Sequence, residues 1–222
     1  MIQSSNFLTP KLYLLTNDDE FSLLYQKLEA ALATGLIALL QIRRKKILAL
    51  PDGDSQLYDE ALQIVDLANV YKVPVVINDD IGLAAKLSVG VHLGQKDGNV
   101  SDAKQTLAPD QIIGRTCHRD SALVKEAKSD GASYAAMGAV FTSTTKPNAD
   151  IVSHEQLVLG CQQGIDMCVI GGLTAENIST LAGLPIKYVA VVGDIMDLPV
   201  AQIAERCQQW KQAFSKWEKP AL

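Results

Sequence analysis

Short apolar runs alternate along the chain with segments in which apolar residues recur three or four positions apart. Runs such as Val73–Asn78 and Gly90–Leu93 predict strands that are buried on both faces. The segment from Phe21 to Ala33 carries leucines at helical spacing, and Gly35 after it is typical of a helix end. Strands that alternate with helices in this way favour parallel pairing through right-handed crossovers.

About eight such strand–helix pairs follow one another without a linker or a change of composition. The predicted strands span residues 11–16, 36–40, 73–78, 90–93, 112–116, 134–141, 167–170 and 188–192. The predicted helices span residues 21–33, 57–71, 81–87, 102–107, 120–130, 154–163, 174–181 and 199–217. Eight units close a barrel, whereas an open doubly wound sheet usually has about five or six strands. We therefore predict an α/β fold, a single (β/α)₈ TIM barrel over residues 1–222, with residues 1–10 as a polar leader.

Composition narrows the classes of function. A length of 222 residues suits one barrel, and a hydrophobic fraction of 48% provides an aliphatic core. The net charge of −5 and the lack of a basic run argue against nucleic-acid binding. No apolar run approaches a membrane span, and no secretory signal is visible. The four cysteines lack CxxC spacing, which argues against zinc and predicts reduced thiols in a cytoplasmic protein.

Two carboxylates follow neighbouring predicted strands. Asp79 ends the run that contains Asn78, and Asp97 lies in the glycine-containing loop after the next strand. The carboxyl ends of barrel strands open onto one face, so both side chains are expected at the same rim. Mg²⁺ is commonly held by one or two carboxylates together with substrate phosphates. Helix capping by Asn78 or Asp79, and a turn role for Asp97, are the alternatives.

Three further groups of polar residues and glycines also follow predicted strands. Gln41, Arg43 and Lys45 alternate, so in an extended segment they share one side and could bind a phosphate or a ring, unless they form a solvated turn. A hydroxyl-rich loop that ends in a cation is suited to phosphate binding, or is a plain turn before a proline. It consists of Ser143, Thr144, Thr145, Lys146 and Pro147. Glycines follow the last two strands, where these barrels frequently bind phosphate through backbone N–H groups. They are Gly171, Gly172 and Gly193.

Other polar residues lie at the fourth and fifth predicted strands. Thr116 is a candidate ligand donor or turn cap, and His118 a candidate base without a visible carboxylate partner. Cys117 between them is interpreted as a packed thiol, and His92 as a histidine of the barrel interior.

Seven motifs in this order resemble the thiamine-phosphate synthase family, whose members are (β/α)₈ barrels. The resemblance covers almost the whole chain, and the order of the motifs is more specific than any one of them. The motifs are Gln41–Lys45, Ile77–Asp79, Val91–Asp97, Gly114–His118, Ser143–Pro147, Ile170–Gly172 and Val191–Gly193.

The resemblance implies an Mg²⁺-assisted transferase of thiamine biosynthesis. It would join a hydroxymethylpyrimidine diphosphate to a thiazole phosphate, with dissociative loss of diphosphate, giving thiamine phosphate. By resemblance, Asp79 and Asp97 hold the metal and Gln41 contacts the pyrimidine. By the same resemblance, the diphosphate would be contacted by Arg43, Lys45, Asn78 and Lys146. The three cations among these residues would be the catalytic groups. Members are often dimeric, so a homodimer is an expectation.

By the same resemblance, the thiazole phosphate would be held by Ser143, Thr145, Gly172, Val192 and Gly193. The chain departs from the family pattern by having Thr116 and Gly193 where serines are usual. Two alternatives stay open. One is a thiazole tautomerase on the same barrel with His118 as its acid/base, and the other is a non-catalytic barrel that binds thiazole or thiamine phosphates.

Overall fold

The computed structural model describes residues 9–142 and 150–217. Eight parallel strands, each hydrogen-bonded to the next and the last to the first, form a closed barrel. The predicted (β/α)₈ architecture is therefore confirmed. The strands are β1 Lys11–Leu15, β2 Ile37–Ile42, β3 Val75–Asn78, β4 Gly90–Leu93, β5 Ile113–His118, β6 Tyr134–Met137, β7 Met167–Ile170 and β8 Ile186–Val191.

Helices follow the strands and cover the outside of the barrel. They are α1 Phe21–Leu32, α2 Lys45–Leu48, α3 Gly53–Val70, α4 Ile81–Lys86, α5 Val100–Thr106, α6 Ser121–Asp130, α7 His154–Cys161, α8 Gly193–Met196 and α9 Val200–Ser215. A 3₁₀ helix, Ile178–Leu181, stands between β7 and β8. Within the described residues, no helix is both long and apolar enough to cross a membrane.

Alternate strand positions feed two separate cores. The outward-facing aliphatic side chains pack against the helices, and α9 closes this layer with buried Trp210 and Phe214. The inward-facing side chains fill the barrel and include three tyrosines, Tyr13, Tyr134 and Tyr188, packed edge to face. The interior is therefore a packed core, and ligands have access to its rims.

Several element ends differ from the sequence prediction. β2 continues through Gln41 and Ile42, and β5 continues to His118, because pairing with the neighbouring strands extends that far. β6 ends at Met137 rather than at Phe141. The helix expected from residue 174 is a short 3₁₀ helix.

Local sequence explains the helix boundaries that differ. Glu20, rather than residues 17–19, caps α1, because its carboxylate accepts a hydrogen bond from the Ser22 N–H. The helix α3 begins at Gly53, earlier than predicted. The single-turn helix α8 after Val192 was not predicted.

Candidate active site

Asp79 and Asp97 meet around the backbone of Gly94. The Gly94 N–H donates to Asp79 Oδ1 at 3.1 Å. A Cβ atom at Gly94 would overlap Asp97 Oδ2 and lie 3.5 Å from Asp79 Oδ1, so the missing side chain leaves room for the carboxylates. The two acidic residues expected at one rim are thus close neighbours.

The backbone conformation at the end of β3 shows which residue caps the next helix. Asp79 has a φ of 67°, a left-handed conformation that aspartate adopts more readily than most residues. The next residue, Asp80, caps α4, with its Oδ1 accepting from the Leu83 N–H at 2.8 Å. The capping alternative for Asp79 is therefore wrong, and its carboxylate is available for another role.

Asn78 fixes the orientation of the Asp79 carboxylate. Its Nδ2 donates to Asp79 Oδ2 at 2.6 Å, and Lys45 Nζ lies 3.8 Å from the same oxygen. Lys45 is 54% exposed, so this ion pair is loose and the lysine is free to meet an anion. A cavity of about 610 Å³ brings these side chains together. It is lined by Lys45, Leu48, Ala49, Asn78, Asp79, Asp80, Ile81 and Asp97.

The segment after β2 differs from the extended stretch that was predicted. Lys45 begins the helix α2, so it does not alternate with Gln41 and Arg43 along one strand. Arg43 is held by its backbone: its N–H donates to Thr16 Oγ1 at 2.8 Å, and the same hydroxyl donates to its carbonyl oxygen at 3.1 Å. Both bonds to Thr16 involve the Arg43 backbone, so they do not engage its half-buried guanidinium group.

Arg44, between the two candidate cations, is buried. Its Nε donates to Glu60 Oε2 at 2.9 Å, and its Nη1 donates to the carbonyl oxygens of Asn17 and Asp19 at 2.8 and 2.7 Å. Arg44 and Glu60 are 4% and 5% exposed. This ion pair anchors the segment that carries Arg43 and Lys45 to the loop after β1 and to α3.

Gln41 lies inside the barrel wall with an unsatisfied donor. The residue is 2% exposed, and its Nε2 has no hydrogen-bond partner within the part of the chain described. A buried amide without a partner costs about 1–3 kcal/mol, so such groups are rare unless a ligand or water satisfies them. Gln41 is therefore a candidate ligand contact.

A chain of hydrogen bonds runs through the barrel interior to Thr116. Tyr13 and Tyr134 share a bond of 2.8 Å between their hydroxyls, and Tyr134 bonds to His92 Nδ1 at 2.8 Å. His92 Nε2 bonds to Thr116 Oγ1 at 2.9 Å. Burial lowers the pKa of His92 to about 4, with Asp79 opposing and Arg115 reinforcing that shift. His92 is thus a neutral interior histidine, as its position in a strand predicted.

Thr116 lies within β5 rather than after it, and its hydroxyl is bonded to His92 instead of capping a turn. His118, at the end of β5, is exposed and has a φ of 48°. Cys117 faces the helices, and burial raises the pKa of its thiol to about 12. A thiol of this kind is protonated at neutral pH, so the interpretation as a packed residue fits.

The glycine loops lie after β7 and β8, at the same end of the barrel as the carboxylates. Gly172 has a φ of 62°, and a Cβ atom there would lie 2.5 Å from the Thr142 carbonyl oxygen, so a larger residue is excluded. Asn177 Nδ2 donates to the Gly172 carbonyl oxygen at 2.8 Å. Val192 precedes the single turn of α8, which Gly193 begins.

The hydroxyl-rich loop belongs to a part of the chain that the structure does not describe. Ser143, Thr145 and Lys146 lie outside the described residues.

Comparison with known proteins decides the family. A family model described as thiamine monophosphate synthase matches residues 12–195, which is most of the chain. The chain belongs to this family.

Curated relatives agree with the thiamine monophosphate synthase family. A thiamine-phosphate synthase of Methylobacillus flagellatus is 37% identical over 206 residues, covering 92% of this chain and 95% of the relative. Thiamine-phosphate synthase 2 of Streptococcus pneumoniae is 36% identical over 211 residues, covering 93% and 94%. A thiamine phosphate pyrophosphorylase from Pyrococcus furiosus has the same fold, with a TM-score of 0.79 at 22% identity over 95% of this chain and 98% of that one.

The donor set at the rim fits the divalent metal expected of such a site. No group of three or more His, Cys, Asp or Glu side chains suited to a metal occurs among the described residues, so these residues alone form no closed metal cage. Two carboxylates with no sulfur or imidazole ligand fit Mg²⁺, which retains waters and takes further oxygens from substrate phosphates. Asp79 and Asp97 are the residues that would hold it.

The sequence pattern does not single out four residues that hold the segments of the site in place. They are Thr16, Arg44, Glu60 and Arg115. Each acts through a contact to a distant segment, so local spacing gave no signal for it. Arg44 lies between two candidate cations, and a solvated turn, the alternative for that cluster, would have left it exposed, whereas it is buried.

Proposed function

We propose that the protein condenses 4-amino-2-methyl-5-hydroxymethylpyrimidine diphosphate with 4-methyl-5-(2-phosphooxyethyl)thiazole to give thiamine phosphate and diphosphate. The observation that carries the proposal is the meeting of Asp79 and Asp97 around Gly94, beside Lys45 and Asn78, in a chain of the thiamine monophosphate synthase family. Carboxylates for a metal and cations for phosphate oxygens at one barrel mouth fit a diphosphate substrate.

The reaction breaks the bond between the pyrimidine methylene carbon and the diphosphate oxygen. The electron pair leaves with the diphosphate, and the thiazole nitrogen then donates its lone pair to the methylene carbon. Mg²⁺, when bound, supplies charge stabilisation to the leaving diphosphate. No proton has to be transferred in these steps, so the reaction needs no general base.

The cations stabilise the charge that develops on the leaving group. In this proposal Arg43, Lys45 and Lys146 contact the diphosphate oxygens, and Asn78 donates to one of them while it orients Asp79. The exposed ammonium of Lys45 and the backbone clamp on Arg43 support these roles. Lys146 is assigned from the family motif alone.

The pyrimidine ring is proposed to lie against Gln41 and Thr116. The Gln41 Nε2 would donate to a ring nitrogen, which would explain why this buried amide has no partner among the described residues. The Thr116 hydroxyl, held by neutral His92, would provide a second hydrogen bond. The heterocycle would thereby be oriented with its methylene carbon facing the mouth.

The thiazole phosphate is proposed to bind at the loops after β6, β7 and β8. Backbone N–H groups can approach a phosphate closely where glycines leave the loop uncovered. The residues proposed to hold it are Ser143, Thr145, Gly172, Val192 and Gly193. This arrangement would place the nucleophile and the diphosphate on the same face of the barrel.

The proposal is tested by incubating the protein with both substrates and Mg²⁺, and by measuring thiamine phosphate and diphosphate together. Equal amounts of the two products are expected, and Asp79→Ala should abolish most of the Mg²⁺-dependent rate. Isomerised thiazole phosphate alone would instead identify the tautomerase, with His118 as its acid/base. Binding of the substrates without any product would identify a non-catalytic barrel.

We also propose that the protein acts in the cytoplasm as a homodimer. The four cysteines are unpaired, three of them buried, which supports a reducing compartment. The dimer is carried over from the family resemblance. Size-exclusion chromatography with light scattering would give about twice the mass of 23.9 kDa for a dimer.

A further inference from the structure

The loop that carries Asp97 is fastened from behind by Arg115. Arg115 lies on β5, in register with Leu93 at the end of β4, and its Nη1 donates to the carbonyl oxygens of Gly94 and Gly98, both at 2.8 Å. These two carbonyls bracket Asp97. One guanidinium nitrogen thus ties together the two ends of the turn that presents the carboxylate.

Gly94 transmits this contact to both acidic residues. Its carbonyl oxygen accepts from Arg115 and from the Asp97 N–H, while its own N–H donates to Asp79 Oδ1. Its α-carbon faces the Asp97 carboxylate so closely that a Cβ atom would not fit. A shift of Gly94 would therefore change the separation of the two carboxylates.

A second contact fixes the same loop to the same strand. Gln95 Nε2 donates to the Thr116 carbonyl oxygen. The Gly94–Gly98 turn is therefore bound to β5 at three points, two of them supplied by Arg115. Gly98 has a φ of 103°, so this end of the turn depends on a glycine and on its hydrogen bond for its shape.

We propose that Arg115 is a positioning residue for the metal site, which sets the distance between the Asp79 and Asp97 carboxylates without touching metal or substrate. This inference depends on the proposed function, since it assumes that those carboxylates hold Mg²⁺. Outer-shell groups that orient metal ligands typically change metal affinity by about 10–100-fold when they are removed.

The sign of the effect separates positioning from electrostatics. Arg115 is a cation beside a cation site, so its charge by itself opposes metal binding. Removal of the charge alone should tighten binding. Loss of the loop geometry should weaken binding.

The test measures binding of Mn²⁺ alone, by the loss of the free-ion signal in electron paramagnetic resonance. Arg115→Gln is expected to weaken Mn²⁺ binding by about tenfold or more. Arg115→Lys keeps the charge and three donors on a shorter arm, so an intermediate loss is expected. The Mg²⁺ concentration that gives the half-maximal rate should also rise, more in Arg115→Gln than in Arg115→Lys.

Arg119→Gln is the matched control. Arg119 is half exposed, pairs with Asp150 at 3.1 Å, and follows the same strand as Arg115. The control variant also loses one positive charge, and its Mn²⁺ affinity should be unchanged or slightly higher. Circular dichroism and thermal melting establish that each variant is folded, and Arg115→Lys carries the test if Arg115→Gln does not fold.

Asp97→Asn distinguishes the two ways of failing. If Asp97→Asn weakens Mn²⁺ binding and Arg115→Gln binds as tightly as the unchanged protein or more tightly, the positioning role is wrong while the metal site stands. If Asp97→Asn itself leaves Mn²⁺ binding unchanged, the metal assignment is wrong and the inference about Arg115 falls with it.

Discussion

Replacing Arg44 by methionine would leave the Glu60 carboxylate buried without its partner. The variant loses the charge-assisted bond from Nε to Glu60 and the two bonds from Nη1 to the carbonyl oxygens of Asn17 and Asp19. Gln56, whose Nε2 lies 3.1 Å from Glu60 Oε1, provides only a neutral donor. Breaking a buried pair by removing one partner costs about 3–5 kcal/mol.

The expected loss of stability is large enough to measure by two methods. For a chain of this size each kcal/mol lowers the melting temperature by about 2–4 °C, so Arg44→Met should melt roughly 10 °C lower. Urea unfolding should show the same loss as a lower midpoint with an unchanged slope. The double variant Arg44→Met/Glu60→Leu removes the unpaired charge and should recover about 2 kcal/mol or more.

Activity should respond through the substrate that carries the diphosphate. Arg44 anchors the segment of Arg43 and Lys45, so KM for the pyrimidine diphosphate should rise several-fold in the folded variant, with a smaller change in KM for the thiazole phosphate. A stability loss below about 1 kcal/mol, or strictly additive effects in the double variant, would refute the account of this ion pair.

Single contacts of Asp80, His92 and Gly193 can each be tested by substitution. Asp80→Ala removes the cap of α4 and should lower the free energy of unfolding, measured in urea, by about 1 kcal/mol. Asp80→Asn should lower it less, because asparagine also caps helices. Equal losses in the two variants would refute the capping role. Because the pKa of His92 is lowered to about 4 from 6.5, the folded state binds a proton at His92 less readily than the unfolded chain does. Stability should fall by up to about 3 kcal/mol as the pH drops from 6.5 to 4, and urea unfolding of His92→Asn should show a flatter profile. Gly193→Ser restores a hydroxyl where the family commonly has serine. The new Cβ atom would lie 2.6 Å from Asp197 Oδ2, so the exposed Asp197 side chain must rotate away. Steady-state kinetics should show about a fivefold lower KM for the thiazole phosphate, and an unchanged KM would argue against this loop as the phosphate site.

Much of the architecture was readable from the sequence. The strands of a parallel barrel are buried on both faces, so they appear as continuous apolar runs, and β4 and β7 were predicted with their observed bounds. Closure was predictable from the number of strand–helix units. The ends of β2 and β5 were not, because they depend on hydrogen-bonding register with neighbouring strands.

The site was predictable as a set of strand ends, but not in its local conformations. Three consecutive residues could cap α4, namely Asn78, Asp79 and Asp80. Asp79 has a left-handed backbone, and Asp80 is the residue that caps the helix. Lys45 lies in a helix rather than an extended segment, beside the buried pair of Arg44 with distant Glu60. Contacts of this kind arise from packing between segments and leave no periodic signal in the sequence.

Anomalous diffraction from crystals grown with Mn²⁺ and inorganic diphosphate would locate the metal relative to Asp79 and Asp97. We expect a metal peak between the carboxylates of Asp79 and Asp97, at a coordination distance of about 2.0–2.3 Å from an oxygen of each, with diphosphate oxygens completing the shell toward Lys45. A metal–diphosphate complex bound elsewhere on the barrel, with neither carboxylate among its ligands, would contradict this expectation.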